Sequence, residues 1–331
     1  MNKNYTVKYK IDGKIRTSAD KENDVYSLAV NQDGNRYTVT LTPKKEFEVI
    51  EFYAEMPYEF KKGDRFFGNG YQSWTKTREY KADEIMRGVI KLSNISEYTK
   101  GIARKTGDSW MIKYSEKPGE FHSHCYTYIR NGESMKLWGS LTEKTGFTYF
   151  KVKMNENRFY FCKDLEGKKV TEPLQVFDIV YFEGGYEEVF DNYFGMWDMP
   201  ETRGGMMSGY TSWYNYFQNI DEKIILRDLD GLDPYKDQVS IYQIDDGYET
   251  YIGDWLDENP AKFPHGMKYI ADKIHDKGYK AGIWLAPFNC QKISRMAKEH
   301  PDWLIKDTNG KSYFIDKRKI SQVLFEPDCL L

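Results

Sequence analysis

The hydrophobic pattern of this chain changes its period near Gly185. Before that point, short alternating runs are joined by tight turns; after it, strand-like runs alternate with amphipathic helical stretches. No single layer arrangement serves both patterns, so the chain is expected to build two different regions. In the first, Thr6–Lys10 and Lys14–Thr17 flank Asp12-Gly13, and Val25–Val30 and Arg36–Leu41 flank Asp33-Gly34. Both are hairpin signals. Further strands are expected at Phe47–Tyr53, Trp110–Tyr114, His122–Arg130, Met135–Leu141, Phe147–Met154 and Arg158–Cys162. Many short strands with frequent turns predict a β-sandwich over residues 1–185.

Tyr186–Trp197 places Val189, Phe190, Tyr193, Phe194 and Trp197 at helical spacing, and Met199-Pro200 and Gly204-Gly205 follow. Residues 186–204 are therefore expected to be a helical linker. In residues 205–331 the chain then reads strand (Tyr210–Tyr216), helix (Asp221–Leu232), strand (Val239–Ile244), helix (Pro264–Lys277), strand (Lys280–Leu285) and helix (Lys292–Glu299). Alternation of this kind means a parallel α/β arrangement, either a doubly wound sheet or a (β/α)8 barrel. No glycine-rich phosphate loop follows any of these strands, which weakens the nucleotide-binding version.

The net charge of -3 on 331 residues gives no reason to expect nucleic acid or an anionic membrane as partner. The four cysteines, Cys125, Cys162, Cys290 and Cys329, form no C-x-x-C pair. A zinc ribbon or redox pair is not indicated. The N-terminus has no apolar signal region and no stretch is long enough to span a bilayer, so a cytoplasmic protein is expected. His122-x-His124 puts two imidazoles on one strand face, but no third ligand is evident and no metal is expected.

In parallel α/β folds, function gathers where strands end. Here the strands run into Ser212-Trp213-Tyr214-Asn215, Asp245-Asp246-Gly247-Tyr248 and Trp284-Leu285-Ala286-Pro287-Phe288. Adjacent side chains on a strand point to opposite faces, so two aspartates in a row would force one inward unless Gly247 turns the backbone. Two close carboxylates repel unless donors hold them, and sugar hydroxyls are such donors. Tryptophan rings stack on the C–H face of a sugar. An Asp-Asp-Gly turn that merely caps the next element is the bland alternative, as a core role is for either tryptophan alone.

Six blocks in order resemble glycoside hydrolase family 36, the family of α-galactosidases and related raffinose-type enzymes. They are Ser208–Trp213, Ile244–Tyr248, Gly253–Trp255, Lys262–Met267, Gly282–Phe288 and His300–Trp303; Gly68–Trp74 resembles a loop of the family's N-terminal domain. The resemblance implies an N-terminal β-sandwich followed by the first part of a catalytic (β/α)8 TIM barrel, and no cofactor. It implies a retaining mechanism in which one Asp attacks the anomeric carbon and a second acts as acid and base, with the two carboxyl groups ~5–5.5 Å apart. By motif position, Asp245 and Asp246 would grip hydroxyls of a terminal galactose at C4 and C6. Trp213 and Trp284 would wall the subsite, Trp74 would reach over it and Tyr71 would support Trp74. The expected partners are α-galactoside oligosaccharides; a homo-oligomer is left open.

The sequence departs from the family at Ala286-Pro287-Phe288, where many members carry Glu-Pro-Glu. α-N-Acetylgalactosaminidase and raffinose-type galactosyl transferase therefore remain alternatives to α-galactosidase. The family's nucleophile lies in a Lys-x-Asp setting at a fourth strand. Asp328 is not in that setting, and a complete barrel takes ~250 residues. The nucleophile and acid/base are expected beyond residue 331, so the chain reads as a truncated enzyme, inactive alone and with a marginally stable C-terminal third. A non-catalytic galactose-binding protein is the reading from another class.

Overall fold

The computed structural model describes residues 3–71, 75–88, 100, 112–201, 204–306, 309–312 and 320–322. The chain divides into two compact units, Met1–Met199 and Pro200–Leu331.

Among the described residues, the first unit holds fourteen strands: β1 (Asn4–Ile11), β2 (Lys14–Ser18), β3 (Tyr26–Asp33), β4 (Arg36–Pro43), β5 (Phe47–Pro57), β6 (Arg65–Gly68), β7 (Arg78–Lys81), β8 (Glu120–His124), β9 (Tyr126–Asn131), β10 (Ser134–Ser140), β11 (Thr148–Lys153), β12 (Arg158–Lys163), β13 (Lys169–Val170) and β14 (Leu174–Gly184). They form two antiparallel sheets. One runs β2-β1-β5-β12-β11-β8, with β13 also on β5; the other runs β3-β4-β14-β10-β9-β6-β7. Both expected hairpins are present, with φ of 50° at Asp12 and 55° at Gly34.

The two sheets share one core. Phe52 meets Phe177 with ring centroids 5.6 Å apart, Tyr37 meets Phe161 at 6.2 Å, and Phe66 stacks on Phe121 at 6.0 Å. Burying a ring of this kind stabilises by about 1.5–3 kcal/mol. The inter-sheet bond between the Tyr5 and Tyr37 hydroxyls satisfies two polar groups within that core.

Two expectations change here. His122–Arg130 is two strands, not one. Cys125, at φ 62°, breaks the run, so that β8 pairs in the first sheet and β9 in the second. The strand expected at Trp110–Tyr114 lies partly outside the described residues, and Ile112–Tyr114 is not a strand.

The segment expected as a linker carries α1 (Tyr186–Phe194), which lies on the outer face of the second sheet. Val189 and Tyr193 are buried there with Leu137 and Val180. Gly139 makes room: a Cβ at that position would sit 2.2 Å from the Tyr193 ring. His122 and His124 are both buried, edge to face at 5.8 Å. Among the described residues, no three His, Cys, Asp or Glu side chains cluster as a metal site.

The second unit contains β15 (Gly209–Thr211), a one-turn helix α2 (Trp213–Tyr216), α3 (Glu222–Gly231), β16 (Ile241–Ile244), α4 (Gly266–Asp276), β17 (Lys280–Ile283), β18 (Asn289–Gln291), α5 (Arg295–Glu299) and β19 (Ile320–Gln322). Strands β15, β16 and β17 are parallel, with β16 in the middle. Asp221 caps α3 by accepting the Ile224 amide at 2.7 Å, the contact expected of an N-cap Asp. Period 3.6 puts Ile225 and Leu229 of α3, and Ile270 and Ile274 of α4, inward against Tyr242 and Ile244 of β16. The strand expected over Tyr210–Tyr216 stops at Thr211, because Ser212 turns helical (φ −72°, ψ −14°). Among the described residues, no helix is long and apolar enough to cross a membrane.

Candidate functional site

Parallel strands end on the same edge of their sheet, so the residues that follow β15, β16 and β17 share one rim. Ser212 and Trp213, then Asp245 and Asp246, then Trp284 occupy it.

The two aspartates are set apart by local geometry. Asp245 continues the face of Gln243, two residues earlier, as the period of a strand requires. Its Oδ2 accepts from Gln243 Nε2 and Thr211 Oγ1, each at 3.0 Å. Its Oδ1 accepts the Asp246 amide at 2.9 Å, and its own amide donates to Ser212 Oγ at 3.0 Å. Asp246 leaves the strand. Both of its oxygens accept from Gln218 Nε2, at 2.9 and 2.8 Å.

Gly247 makes that departure feasible. Its φ is 117°, and a Cβ there would lie 2.6 Å from the Gln218 carbonyl oxygen. Only glycine tolerates both the angle and the approach. Lys262 ties the two loops, donating to the carbonyl oxygens of Gln218 at 2.7 Å and Gly247 at 2.9 Å.

A third carboxyl group joins them. Glu249 is buried and accepts the Gly247 amide at 3.1 Å. Burial, together with its hydrogen bond to Asp246, pushes the Glu249 carboxyl up to about 7.

The tryptophans sit at the flanking strand ends. Trp213, half-buried, packs edge to face on Phe217 at 5.1 Å. Trp284, half-buried, packs edge to face on Trp255 at 5.8 Å, and its amide donates to the Ile244 carbonyl. Tyr248, beneath them, donates to the Trp284 carbonyl at 3.4 Å. Of the residues expected from the first unit, Tyr71 packs on His124 and Phe147, and Trp74 lies outside the described residues.

Asp254, in the Gly253–Trp255 block, serves the fold, since its carboxylate accepts the Arg295 and Met296 amides at the start of α5. Sequence reasoning passed over Thr211, Gln243, Gln218 and Glu249. The strand period could have given Gln243; nothing local announces Gln218, which the positive φ of Phe217 (51°) brings round.

Acidic acceptors between aromatic walls, at the C-terminal rim of a parallel α/β sheet, define the class of site such folds use for small polar ligands. Residues 235–325 match the Melibiase family model. A stretch covering 20% of the chain is 34% identical over 74 residues to Lactobacillus acidophilus α-galactosidase Mel36A, and it spans 10% of that enzyme. Geobacillus stearothermophilus α-galactosidase AgaA is 25% identical over 210 residues, which cover 59% of this chain and 27% of the enzyme. In fold, the chain resembles the Thermus thermophilus α-galactosidase TtGalA solved with stachyose. The TM-score is 0.61 at 21% identity, over 96% of this chain and 60% of that one. Over these stretches the chain is similar to α-galactosidases, among the solved ones members of glycoside hydrolase family 36. It spans only part of the length of each relative it matches.

Proposed function

We propose that the second unit is the galactose-gripping part of an α-galactosidase-type retaining glycosidase, one that removes terminal α-linked galactose from oligosaccharides. In this reading the first unit is the β-sandwich of that architecture, and β15 to β17 are the first strands of its (β/α)8 barrel. One observation carries the proposal: adjacent carboxylates at the end of the central strand lie between half-buried tryptophans at the ends of both neighbours.

The chemistry suits a sugar. A carboxylate offers about four acceptor positions. Gln243, Thr211 and the Asp246 amide take three at Asp245, and Gln218 bonds both oxygens of Asp246. Those donors orient the acceptors and leave capacity for further donors, as the hydroxyls at C4 and C6 of galactose would be. Trp213 and Trp284 would cover the apolar C–H face of the ring.

These residues bind and orient; they do not break the glycosidic bond. Retaining cleavage needs a carboxylate to attack the anomeric carbon and a second carboxyl group to protonate the leaving oxygen. The proposal gives neither role to residues 1–331. Calorimetric titration of the 331-residue chain with galactose tests it. Binding that weakens in Asp246→Ala and Trp284→Ala, with no turnover of p-nitrophenyl α-galactoside at ordinary enzyme rates, is expected. Failure of the unmodified chain to bind galactose rejects the proposal.

A further inference from the structure

The outer face of the first sheet carries a cavity that the shared core does not use. Along β8, β11, β12 and β5, Phe121, Phe150, Phe161 and Phe52 face inward and are buried in that core. Alternation turns their neighbours His122, Lys151, Tyr160 and Tyr53 to the other side. The pairings Lys151 with His122, Lys151 with Tyr160, and Cys162 with Tyr53 carry this face across the four strands. Ile112, Lys113 and Ser115 supply a further wall, and Tyr114 packs edge to face on His122 at 4.6 Å. The cavity holds about 280 Å³, at the small end of ligand-binding clefts.

Its polar lining is left over by the fold. Within the described residues, the His122 ring, the Tyr53 and Tyr160 hydroxyls, the Lys151 ammonium and the Glu51 carboxylate make no hydrogen bond or ion pair. His122 is the telling one, because it is only 6% exposed and buried polar groups are ordinarily paired. Burial keeps its ring neutral, so one nitrogen can donate and the other accept.

The mixture of groups selects the ligand. Glu51 is negative, while Lys151 and Lys113 are positive; Glu120 bonds Ser115 and Lys153 pairs with Glu156. Neither sign dominates, so a strongly charged ligand gains little. The rings of Tyr53 and Tyr160, 6.0 Å apart and edge to face, add aromatic surface. Donors, acceptors and aromatic surface together suit a neutral polyhydroxyl ring, whose hydroxyls both donate and accept and whose C–H face lies against a tyrosine. Among the described residues, His122, Cys162 and Glu51 do not converge as a metal site.

We propose that this cavity is a sugar-binding site of the first unit, taking one neutral pyranose ring against Tyr53, Tyr160, Lys151 and His122, with Glu51 at its exposed edge. It stands independently of the galactose reading of Asp246.

The test uses the 331-residue chain with ¹³C-labelled tyrosine rings, and galactose, glucose and sucrose as probes. Tyr53→Phe and Tyr160→Phe assign the two resonances. At least one of the three sugars should shift both of them saturably. Glu51→Gln and Lys151→Met should each weaken that titration about ten-fold, the loss of one hydrogen bond to a charged group. Asp246→Ala should leave it unchanged, whether or not that variant loses galactose in calorimetry. Tyrosine resonances elsewhere that keep their positions show each variant to be folded. The inference fails if none of the sugars moves either resonance. It fails if acetate or inorganic phosphate moves them and the sugars do not, which would make this an anion site. It also fails if folded Glu51→Gln and Lys151→Met both bind as the unmodified chain does, or if Asp246→Ala abolishes the shifts.

Discussion

In the first region each sheet has a partner sheet, whereas in the second the three parallel strands have α3 and α4 against one face. Antiparallel sheets with one dry and one wet face are common; parallel sheets are ordinarily covered on both. The exposures follow that rule. Phe52, Phe150, Phe159 and Phe177 are fully buried in the first region. In the second, Ile283 is 46% exposed, Leu285 48% and Phe288 58%, at and beyond the end of β17. The region with the larger shared core holds no residue of the expected galactose site except Tyr71 and Trp74. The region whose parallel sheet packs, among the described residues, against α3 and α4 on one face holds the carboxylates. Stability and ligand chemistry are thus expected to respond to different substitutions.

The largest effect should come from the shared core. Phe159 has no exposure and packs on Trp138 at 4.7 Å and Phe161 at 5.2 Å. Phe159→Ala should cost about 3–5 kcal/mol and Ile270→Ala about 2–5. Hydrogen exchange followed by mass spectrometry separates them. Phe159→Ala should speed exchange in peptides of β5, β11 and β12, and Ile270→Ala in those of α3, β16 and α4. If either substitution speeds both sets equally, the contrast between regions is wrong.

A smaller effect should reach the site directly. Gly247→Ala imposes a φ of 117° on a residue with a Cβ, 2.6 Å from a backbone oxygen. The strain should cost about 2 kcal/mol and displace Asp246 or Gln218. Galactose affinity should fall with exchange protection in the second region, while the first region keeps its protection.

What the sequence disclosed follows from the range of the forces involved. The Asp12-Gly13 and Asp33-Gly34 hairpins were legible because turn chemistry is local. The spans of α3 and α4 were legible because an apolar stripe has one period. Strand β14 was not: Val176 to Val180 are all buried, because α1 covers the face that would otherwise be wet, and the alternation disappears. The break at Cys125 was hidden for a similar reason. The two halves of that run look alike but pair in different sheets. At the site, Asp245, Asp246, Trp213 and Trp284 stood out as residue types at strand ends, and the structure brings all four to one rim. Gln218 and Glu249 did not stand out. Their importance depends on a backbone turn at Phe217 and another at Gly247, which set distances that residue types cannot.

The finest test of the contrast is pH, since a buried ionisable group in each region should tilt stability in opposite directions. Burial, with His124 and Lys151 nearby, holds the His122 imidazole down to about 3, against 6.5 for an ordinary histidine. As pH falls below 6.5 the unfolded chain takes a proton that the folded first region refuses, so acid destabilises it progressively toward pH 3. Glu249 behaves the other way. Its folded value is about 7 against 4.5, so its contribution is fully present below 4.5 and is lost as pH rises toward 7. Between 4.5 and 6.5 the two slopes have opposite signs, each at most about 1.4 kcal/mol per pH unit. His122→Gln should flatten the first region's dependence alone, and Glu249→Gln the second's alone, in exchange protection compared with the unmodified chain at matched pH. Slopes of the same sign in both regions would show that the buried charges, unlike the cores, do not divide along the boundary near Met199.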